Sequence, residues 1–498
     1  MTEGSSAVQD IRALSARLTP EYLEEHGVLP LRIEGGTLHI GTWRDHVEPH
    51  VLFELEALLG ARVRLRRMAE DEVRTGIRSL YGETSAQSLI DAVDDSGNAL
   101  GVNDSPAIDD LRALANEAPV IRLVSMLLAE ALAARASDVH LEAYPDALRV
   151  RYRVDGVLQD APSPPRSMAP AVISRLKVMA NLDIAERRLP QDGRIRLPLQ
   201  DRQVDVRVST IPTLHGESVV LRLLDKESGT LDLGALGMSA SHLARFEDVL
   251  TRPHGIVLAT GPTGSGKTTT LYAALQRLRT GREKILTVED PVEYQLAGIP
   301  QVPVNEKIGV TFASALRALL RQDPDVMLVG EIRDGETAEI ATQAALTGHL
   351  VLSTLHTNDA AGALTRLIDL GVAPFLVSAT VEAVLAQRLV RMVCRVCVER
   401  TPATDVERST LGAPELMEVS RTVGCDECRG SGYVGRTGVY ELLVLDDEMR
   451  TAITAGEGAQ AIRALAHMHG VPVLRDDGVR LVLQGITTPE EVLRVCRV

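Results

Sequence analysis

A glycine-rich segment offers a cradle for phosphate. It fits the pattern G-x-x-x-x-G-K-[ST], with an apolar run at 254–260 before it and a helix-patterned run at 269–278 after it. Glycines let backbone N–H groups converge on phosphate oxygens, while Lys267 can reach the β- and γ-phosphates and Thr268 can hold Mg²⁺. A chance glycine-rich turn is the alternative, which the flanking elements disfavour. We predict that ATP and Mg²⁺ bind at Gly261, Pro262, Thr263, Gly264, Ser265, Gly266, Lys267, Thr268 and Thr269.

An acidic residue follows the apolar run 326–329, which is typical of a buried strand. Asp325 stands before this run and Glu331 after it, and at about 3.3 Å per residue an extended chain separates them by about 20 Å. Ligands of parallel sheets bind beyond the carboxyl ends of the strands. We therefore predict that Glu331, rather than Asp325, serves Mg²⁺ and catalysis. An ordinary exposed carboxylate is the alternative.

Three carboxylates crowd the end of the apolar run 285–288, namely those of Glu289, Asp290 and Glu293. The negative charges of neighbouring carboxylates repel one another unless a bound cation or a reacting water interacts with them. Glu289 leaves the strand first, so we predict that it activates the attacking water, with Glu293 in reserve. A solvated acidic turn is the alternative.

Two histidines flank the apolar run 350–355, with His349 before it and His356 after it. Along a strand they point to opposite faces and lie at opposite ends, so they cannot share one metal ion. Only His356 falls at the carboxyl end, near the phosphates, and we predict that it senses the nucleotide. His349 stays open between a structural and a catalytic role.

Four cysteines form two pairs, C-x-x-C at Cys394 and Cys397 and again at Cys425 and Cys428, with 27 residues between the pairs. Each C-x-x-C pair presents two thiolate sulfurs, so that the two pairs together can bind one tetrahedral Zn²⁺. Unpaired cysteines and disulfides are the alternatives, and a reducing cytoplasm disfavours the disulfides. We predict a structural zinc ion.

The elements that position these residues follow an α/β pattern. From residue 236 onward apolar strands alternate with helices, as in a parallel sheet with crossover connections. Strands are predicted at 254–260, 285–288, 326–329 and 350–355, and helices at 269–278, 312–321 and 336–346.

The N-terminal half contains two smaller modules. Residues 1–85 show a hairpin pattern around two adjacent glycines and a helix pattern near 50–59, which predicts an α+β domain. Residues 86–110 have the composition of an acidic, flexible linker. Residues 111–232 begin with a predicted helix at 111–136 and continue with strands that carry arginines on one face. That face is either merely solvated or turned toward phosphate, and the pattern alone favours solvation.

Composition narrows the function classes. The 498 residues carry a formal net charge of −15, and aromatic side chains make up 3%. Acidity and scarce stacking surfaces weigh against nucleic-acid binding. The most apolar stretch, residues 120–136, is interrupted by Arg122, Glu130 and Arg135, so we expect no direct membrane insertion and a cytoplasmic location.

Together the motifs resemble the secretion ATPases of the type II secretion and type IV pilus superfamily, above all the type II secretion ATPases. The resemblance covers about residue 110 to the C-terminus, while residues 1–85 match loosely. Beside the phosphate loop and the four cysteines, it rests on residues 136–142, 151–156, 188–194, 205–210, 286–294, 320–325, 330–334 and 346–359.

The resemblance implies an architecture. A RecA-like P-loop ATPase domain at 236–498, with a Cys₄ zinc insertion near 390–432, would follow a PAS-like α+β domain at 111–232. Six such units would form a ring. The resemblance also assigns phosphate contacts to Arg207 and Arg222, and for these two it overrides the solvated-face interpretation.

The resemblance also implies the work and the partners. ATP hydrolysis would power protein secretion at the inner membrane, with residues 1–85 docked on the cytoplasmic domain of an inner-membrane secretion protein and the ring acting on a polytopic platform protein. A pilus-extension ATPase is the near alternative. A nucleic-acid-translocating motor is the distant one, and we expect no nucleic-acid partner.

Overall fold

The computed structural model describes residues 20–34, 37–44, 46–59, 62–82, 90, 114–199, 202–225 and 232–496. The backbone divides into two compact units, residues 1–226 and 227–498. The predicted linker at 86–110 lies outside the described residues, apart from residue 90.

The first described sheet has three strands in the order β1-β2-β3, with β1 and β2 antiparallel and β2 and β3 parallel. Its core is aliphatic and includes Leu38, Ile40 and Leu55. The predicted hairpin and the predicted helix near 50–59 are both confirmed. The elements are α1 (Pro20–His26), β1 (Val28–Glu34), β2 (Thr37–Thr42), α2 (Pro49–Leu59), β3 (Arg62–Arg67) and α3 (Glu70–Gly82).

The second sheet has six strands in the order β6-β5-β4-β9-β8-β7, and every neighbouring pair is antiparallel. In β5 Val150 and Tyr152 are buried and Arg149 is exposed, so the predicted alternation is confirmed. The elements are α4 (Ala118–Ala133), β4 (Ala136–Ala143), β5 (Leu148–Val154), β6 (Val157–Asp160), α5 (Ala169–Met179), β7 (Gln191–Leu199), β8 (Arg202–Thr213) and β9 (Gly216–Asp225).

The helix predicted at 111–136 is shorter in the structure. It starts at Ala118, and Pro119 occupies its first turn, where the missing N–H costs nothing. At the other end Arg135 adopts a left-handed backbone with φ 54°, and β4 starts at the next residue. The proline and this turn therefore set the bounds, which the apolar pattern alone overran.

The second unit is built on a seven-stranded sheet in the order β12-β11-β13-β14-β10-β15-β18. All neighbours run parallel except β15 and β18. Every residue of β10 and of β14 is buried, as expected for strands covered on both faces. The strands are β10 (Gly255–Thr260), β11 (Ile285–Glu289), β12 (Gln301–Pro303), β13 (Val326–Val329), β14 (Leu350–Leu355), β15 (Val381–Val393) and β18 (Tyr433–Val444).

Helices pack on both faces of this sheet, which confirms the predicted α/β pattern. A two-stranded ribbon, β16 (Val398–Pro402) with β17 (Glu418–Thr422), lies in the segment between the cysteine pairs. Among the described residues no helix combines the length and the apolar character needed to cross a bilayer. The helices are α6 (Ala240–Leu250), α7 (Lys267–Leu278), α8 (Phe312–Leu319), α9 (Gly335–Leu346), α10 (Ala360–Asp369), α11 (Pro374–Thr380), α12 (Asp405–Leu411), α13 (Asp447–Thr454), α14 (Ala459–Met468), α15 (Leu474–Leu483) and α16 (Pro489–Val495).

Candidate active site

The glycine-rich loop connects the buried strand β10 to helix α7, as the motif requires. Gly261 has φ 148°, and a Cβ at this position would lie 2.5 Å from the carbonyl oxygen of Gln387, so no larger residue fits. Within the described part of the chain, no side chain caps the first turn of α7. Its backbone N–H groups therefore remain available to an anion.

Two buried side chains of the loop fit a phosphate ligand. Lys267 Nζ donates to the carbonyl oxygens of Gly261 (2.7 Å) and Pro262 (3.1 Å). Phosphate oxygens can replace these two carbonyl oxygens as acceptors. Burial lowers the pKa of Lys267 to about 8, against a smaller opposing effect of Glu331. Ser265 Oγ is buried and has no hydrogen-bond partner in the described part of the chain. Thr268 is exposed at the start of α7.

Glu331 lies two residues beyond the end of β13, at the carboxyl edge of the sheet. Its carboxylate accepts hydrogen bonds from Arg333 and, at 3.0 Å, from His356 Nε2. Burial acts to raise the pKa of Glu331, but the hydrogen bonds from Arg333 and His356 outweigh it and the net pKa lies below its ordinary value. The carboxylate is thus kept ionised, which is the form that can bind a metal ion. Asp325 lies at the opposite end of β13, where its Oδ2 accepts from the N–H of Lys284 at 2.7 Å.

Glu289 is the last residue of β11 and is 3% exposed, so the alternative of a solvated turn is wrong for this residue. Three donors hold its carboxylate: the hydroxyl of Tyr272, the hydroxyl of Thr287 at 2.6 Å and the amide of Gln301 at 3.0 Å. Its position and orientation are therefore fixed before any ligand binds. Glu293 lies further along the chain and is only half-buried.

The two histidines occupy opposite ends of β14, as predicted. His356 lies at the carboxyl edge and reaches Glu331. His349 lies at the start of the strand, where its Nδ1 is 2.9 Å from the carbonyl oxygen of Ala344 and 3.2 Å from the hydroxyl of Thr347. The structure thus places His356 at the carboxyl edge of the sheet, where the glycine-rich loop lies, and His349 at the opposite edge.

Sequence reasoning missed three polar residues around the loop. Gln387 Oε1 accepts from Thr270 at 2.8 Å, and Arg388 is 9% exposed with its guanidinium donating to Asn358. Both interrupt an apolar stretch in the middle of strand β15, and that interruption was the available signal. Arg333 stands two residues after Glu331 and also approaches Asp290 at 3.8 Å, which offsets the crowding of acids there.

Arg207 and Arg222 face each other across β8 and β9 in the other unit. Arg222 Nε donates to Asp138 Oδ1 at 3.1 Å, and its side chain is 52% exposed. The Asp138 carboxylate orients this guanidinium without burying it, so some of its N–H groups remain available to another acceptor.

The four cysteines converge, with their Sγ atoms all within 4.8 Å of one another. Sγ–Sγ separations of 3.8 Å (Cys394 to Cys425), 3.8 Å (Cys397 to Cys428) and 3.7 Å (Cys425 to Cys428) match the ~3.8 Å edge of a tetrahedron with Zn–S bonds of about 2.3 Å. Backbone N–H groups of Cys425 and Gly432 each lie 3.1 Å from Cys428 Sγ. The residues therefore fit Zn²⁺.

Comparison with known proteins follows the same division of the chain. A family model described as "Type II/IV secretion system protein" matches residues 113–494. A second one, described as "MshEN domain", matches residues 5–87.

Relatives that match along most of the chain agree with these family matches, and a solved structure shares the fold. The type II secretion system protein E of Pseudomonas aeruginosa is 48% identical over 504 residues and covers 99% of both chains. The type II secretion system ATPase E of Vibrio cholerae is 47% identical over 453 residues and covers 90% of both. The ATPase DotB of Legionella pneumophila, with 21% identity, has a TM-score of 0.56 over 74% of this chain and 94% of that chain, which shows a shared fold.

Proposed function

The chain belongs to the type II/IV secretion system protein family, which confirms the resemblance predicted from its motifs, and from this premise we propose that it is the ATPase of a type II protein secretion machine. The observation that carries this proposal is the phosphate loop with Lys267 buried in it and Glu331 held ionised at the same edge of the sheet. A relative of nearly half identical sequence is named as an ATPase of that system.

Each residue has a part in hydrolysis. Lys267 and the loop amides hold the β- and γ-phosphates, and Thr268 and Glu331 are the residues that would hold Mg²⁺. When bound, Mg²⁺ neutralises charge on the phosphate oxygens. Glu289 orients the attacking water and accepts its proton, since its carboxylate is already fixed by Tyr272 and its neighbours. Glu293 is the reserve for this role.

Further side chains complete the proposed site. His356 couples the γ-phosphate to Glu331, because it already binds that carboxylate. Arg207 and Arg222 supply positive charge to the phosphates in the transition state. His349 has a structural part, supported by its contacts with Ala344 and Thr347.

Zinc at Cys394, Cys397, Cys425 and Cys428 has a structural role. The Sγ separations support this role, and the four cysteines would fill all four ligand positions of the ion. A tetrahedral thiolate site of this kind closes a subdomain near residues 390–432 and performs no chemistry on substrate.

The larger organisation is proposed on the same family premise. Residues 236–498 form a RecA-like ATPase domain, residues 111–232 a PAS-like domain, and six chains a ring on the cytoplasmic side of the inner membrane. Residues 1–85 dock on the cytoplasmic domain of an inner-membrane secretion protein, across an acidic linker at 86–110. The ring acts on a polytopic platform protein.

A single assay series tests the proposal. Purified protein should hydrolyse ATP in the presence of Mg²⁺, single-stranded DNA should leave the rate unchanged, and the gene should restore secretion to a strain that lacks its type II ATPase. Lys267→Ala should lose hydrolysis and secretion, whereas Lys307→Ala, at an exposed position, should retain both. Stimulation by DNA without restored secretion would contradict the proposal.

A further inference from the structure

Three side chains outside the ATPase machinery converge on one surface of the small N-terminal sheet domain. His26 ends α1, Glu48 lies just before α2, and His50 is in the first turn of α2. One potential ligand atom from each, a ring nitrogen or a carboxylate oxygen, lies within 4.8 Å of the other two.

The separations suit two ligands of one ion better than a direct bond between them. His50 Nδ1 and Glu48 Oε2 are 3.4 Å apart, which is long for a hydrogen bond. Two ligands at about 2.1 Å from a tetrahedral ion are about 3.4 Å apart. The rings of His26 and His50 are 5.9 Å apart at 87°, so they are not stacked on each other.

The orientation of His26 is fixed by its neighbours. Its ring packs against that of Tyr22 at 4.5 Å in an edge arrangement, and the Tyr22 hydroxyl donates to Glu54 at 2.7 Å. A ligand that is already oriented loses less conformational freedom when an ion binds. This packing orients one of the three side chains before an ion binds.

We propose that His26, Glu48 and His50 form a second metal site, which binds Zn²⁺. Two imidazoles and one carboxylate are a donor set that zinc accepts, with a fourth position left for water. The side chains of His50 and Glu48 are 60% and 63% exposed, so that position opens to solvent. The ion joins the end of α1 to the start of α2 and stiffens this domain, independently of ATP hydrolysis.

Metal analysis of the full-length protein tests the proposal. After equilibration with buffered Zn²⁺ and removal of free metal, the wild type should hold about two zinc ions per chain. The double variant His26→Gln, His50→Gln should hold about one, and Cys425→Ser should lose its zinc from the other site. His46→Gln, in the same segment but outside the cluster, should hold as much as the wild type.

Cobalt substitution separates loss of the site from loss of folding. The histidine variant should keep the intense thiolate-to-cobalt absorption of the cysteine site, which shows that the chain is folded, and should lose the weaker bands of a nitrogen and oxygen site. Equal zinc in the wild type and the double variant would overturn the proposal, as would a loss in His46→Gln as large as in the double variant.

Discussion

Among single side chains, substitution of Glu331 should best distinguish an effect on ATP binding from an effect on ATP hydrolysis. In the proposed mechanism nucleotide binding depends on backbone amides and Lys267, while Glu331 acts where charge develops in the transition state. We predict that Glu331→Gln keeps ATP affinity within about threefold and lowers kcat at least about a hundredfold. Glu339→Gln, an exposed change on α9, is the matched control. A near-normal kcat in Glu331→Gln would remove the residue from the catalytic set.

The lowered pKa of Lys267 predicts how binding depends on pH. Its value of about 8 without nucleotide means that the amine is mostly charged at pH 7 and mostly neutral at pH 9. Bound phosphate favours the charged form, so binding above pH 8 should take up a proton and weaken as the pH rises.

Calorimetry can measure this uptake. ATP titrations at pH 8.5 in buffers of different ionisation enthalpy should give an uptake of up to about one proton, which falls toward zero at pH 7. Heats that do not depend on the buffer at pH 8.5 would exclude Lys267 as the titrating group.

The sequence could predict the positions of those candidate site residues that lie at a fixed distance along the chain from a recognisable strand or glycine. The phosphate loop and Glu331 follow from strand ends and glycine positions, which are local properties. The burial of Glu289 under Tyr272 and Gln301 did not follow, because its donors come from two other elements. Arg388 was missed for the same reason, since its strand approaches the loop only in the folded sheet.

At the scale of elements, strands were easier to locate than helix bounds. A strand buried on both faces, such as β13, is an uninterrupted apolar run with turn residues on either side. The predicted bounds of helix α4 were too wide because the apolar period continues beyond both ends of the helix, which has Pro119 in its first turn and is followed by the left-handed turn at Arg135. The order of the seven-stranded sheet was not predicted, because strand neighbours are set by long-range packing.

The cysteine subdomain gives the prediction at this scale. Removing one ligand opens the tetrahedron, so Cys425→Ser should lower zinc at this site and make the segment between the pairs sensitive to protease. Cys496→Ser changes a buried cysteine outside the cluster and should leave the zinc content unchanged. The measurement is elemental analysis together with limited proteolysis. Equal zinc in both variants would contradict the assignment.

For the whole molecule, the separate family matches of residues 5–87 and 113–494 predict separable tasks. Deletion of residues 1–85 should leave folded protein with ATPase activity and abolish its recruitment to membranes in cells, because none of the proposed catalytic residues is removed. Fractionation of cell extracts measures recruitment. If the shortened chain still sediments with membranes like the full chain, the docking surface lies elsewhere in the protein.

One strand of the second unit connects two sites that have been treated separately. β15 carries Gln387 and Arg388 beside the phosphate loop and ends one residue before Cys394. β10 pairs with its first half, as far as Ala386, and β18 pairs with it as far as Val393, with a register shift between Arg391 and Val393. About 20 Å of continuous strand separates Arg388 from Cys394. Because one strand joins the two places, we expect a shift of β15 beside the phosphate loop to displace the cysteine cluster as well.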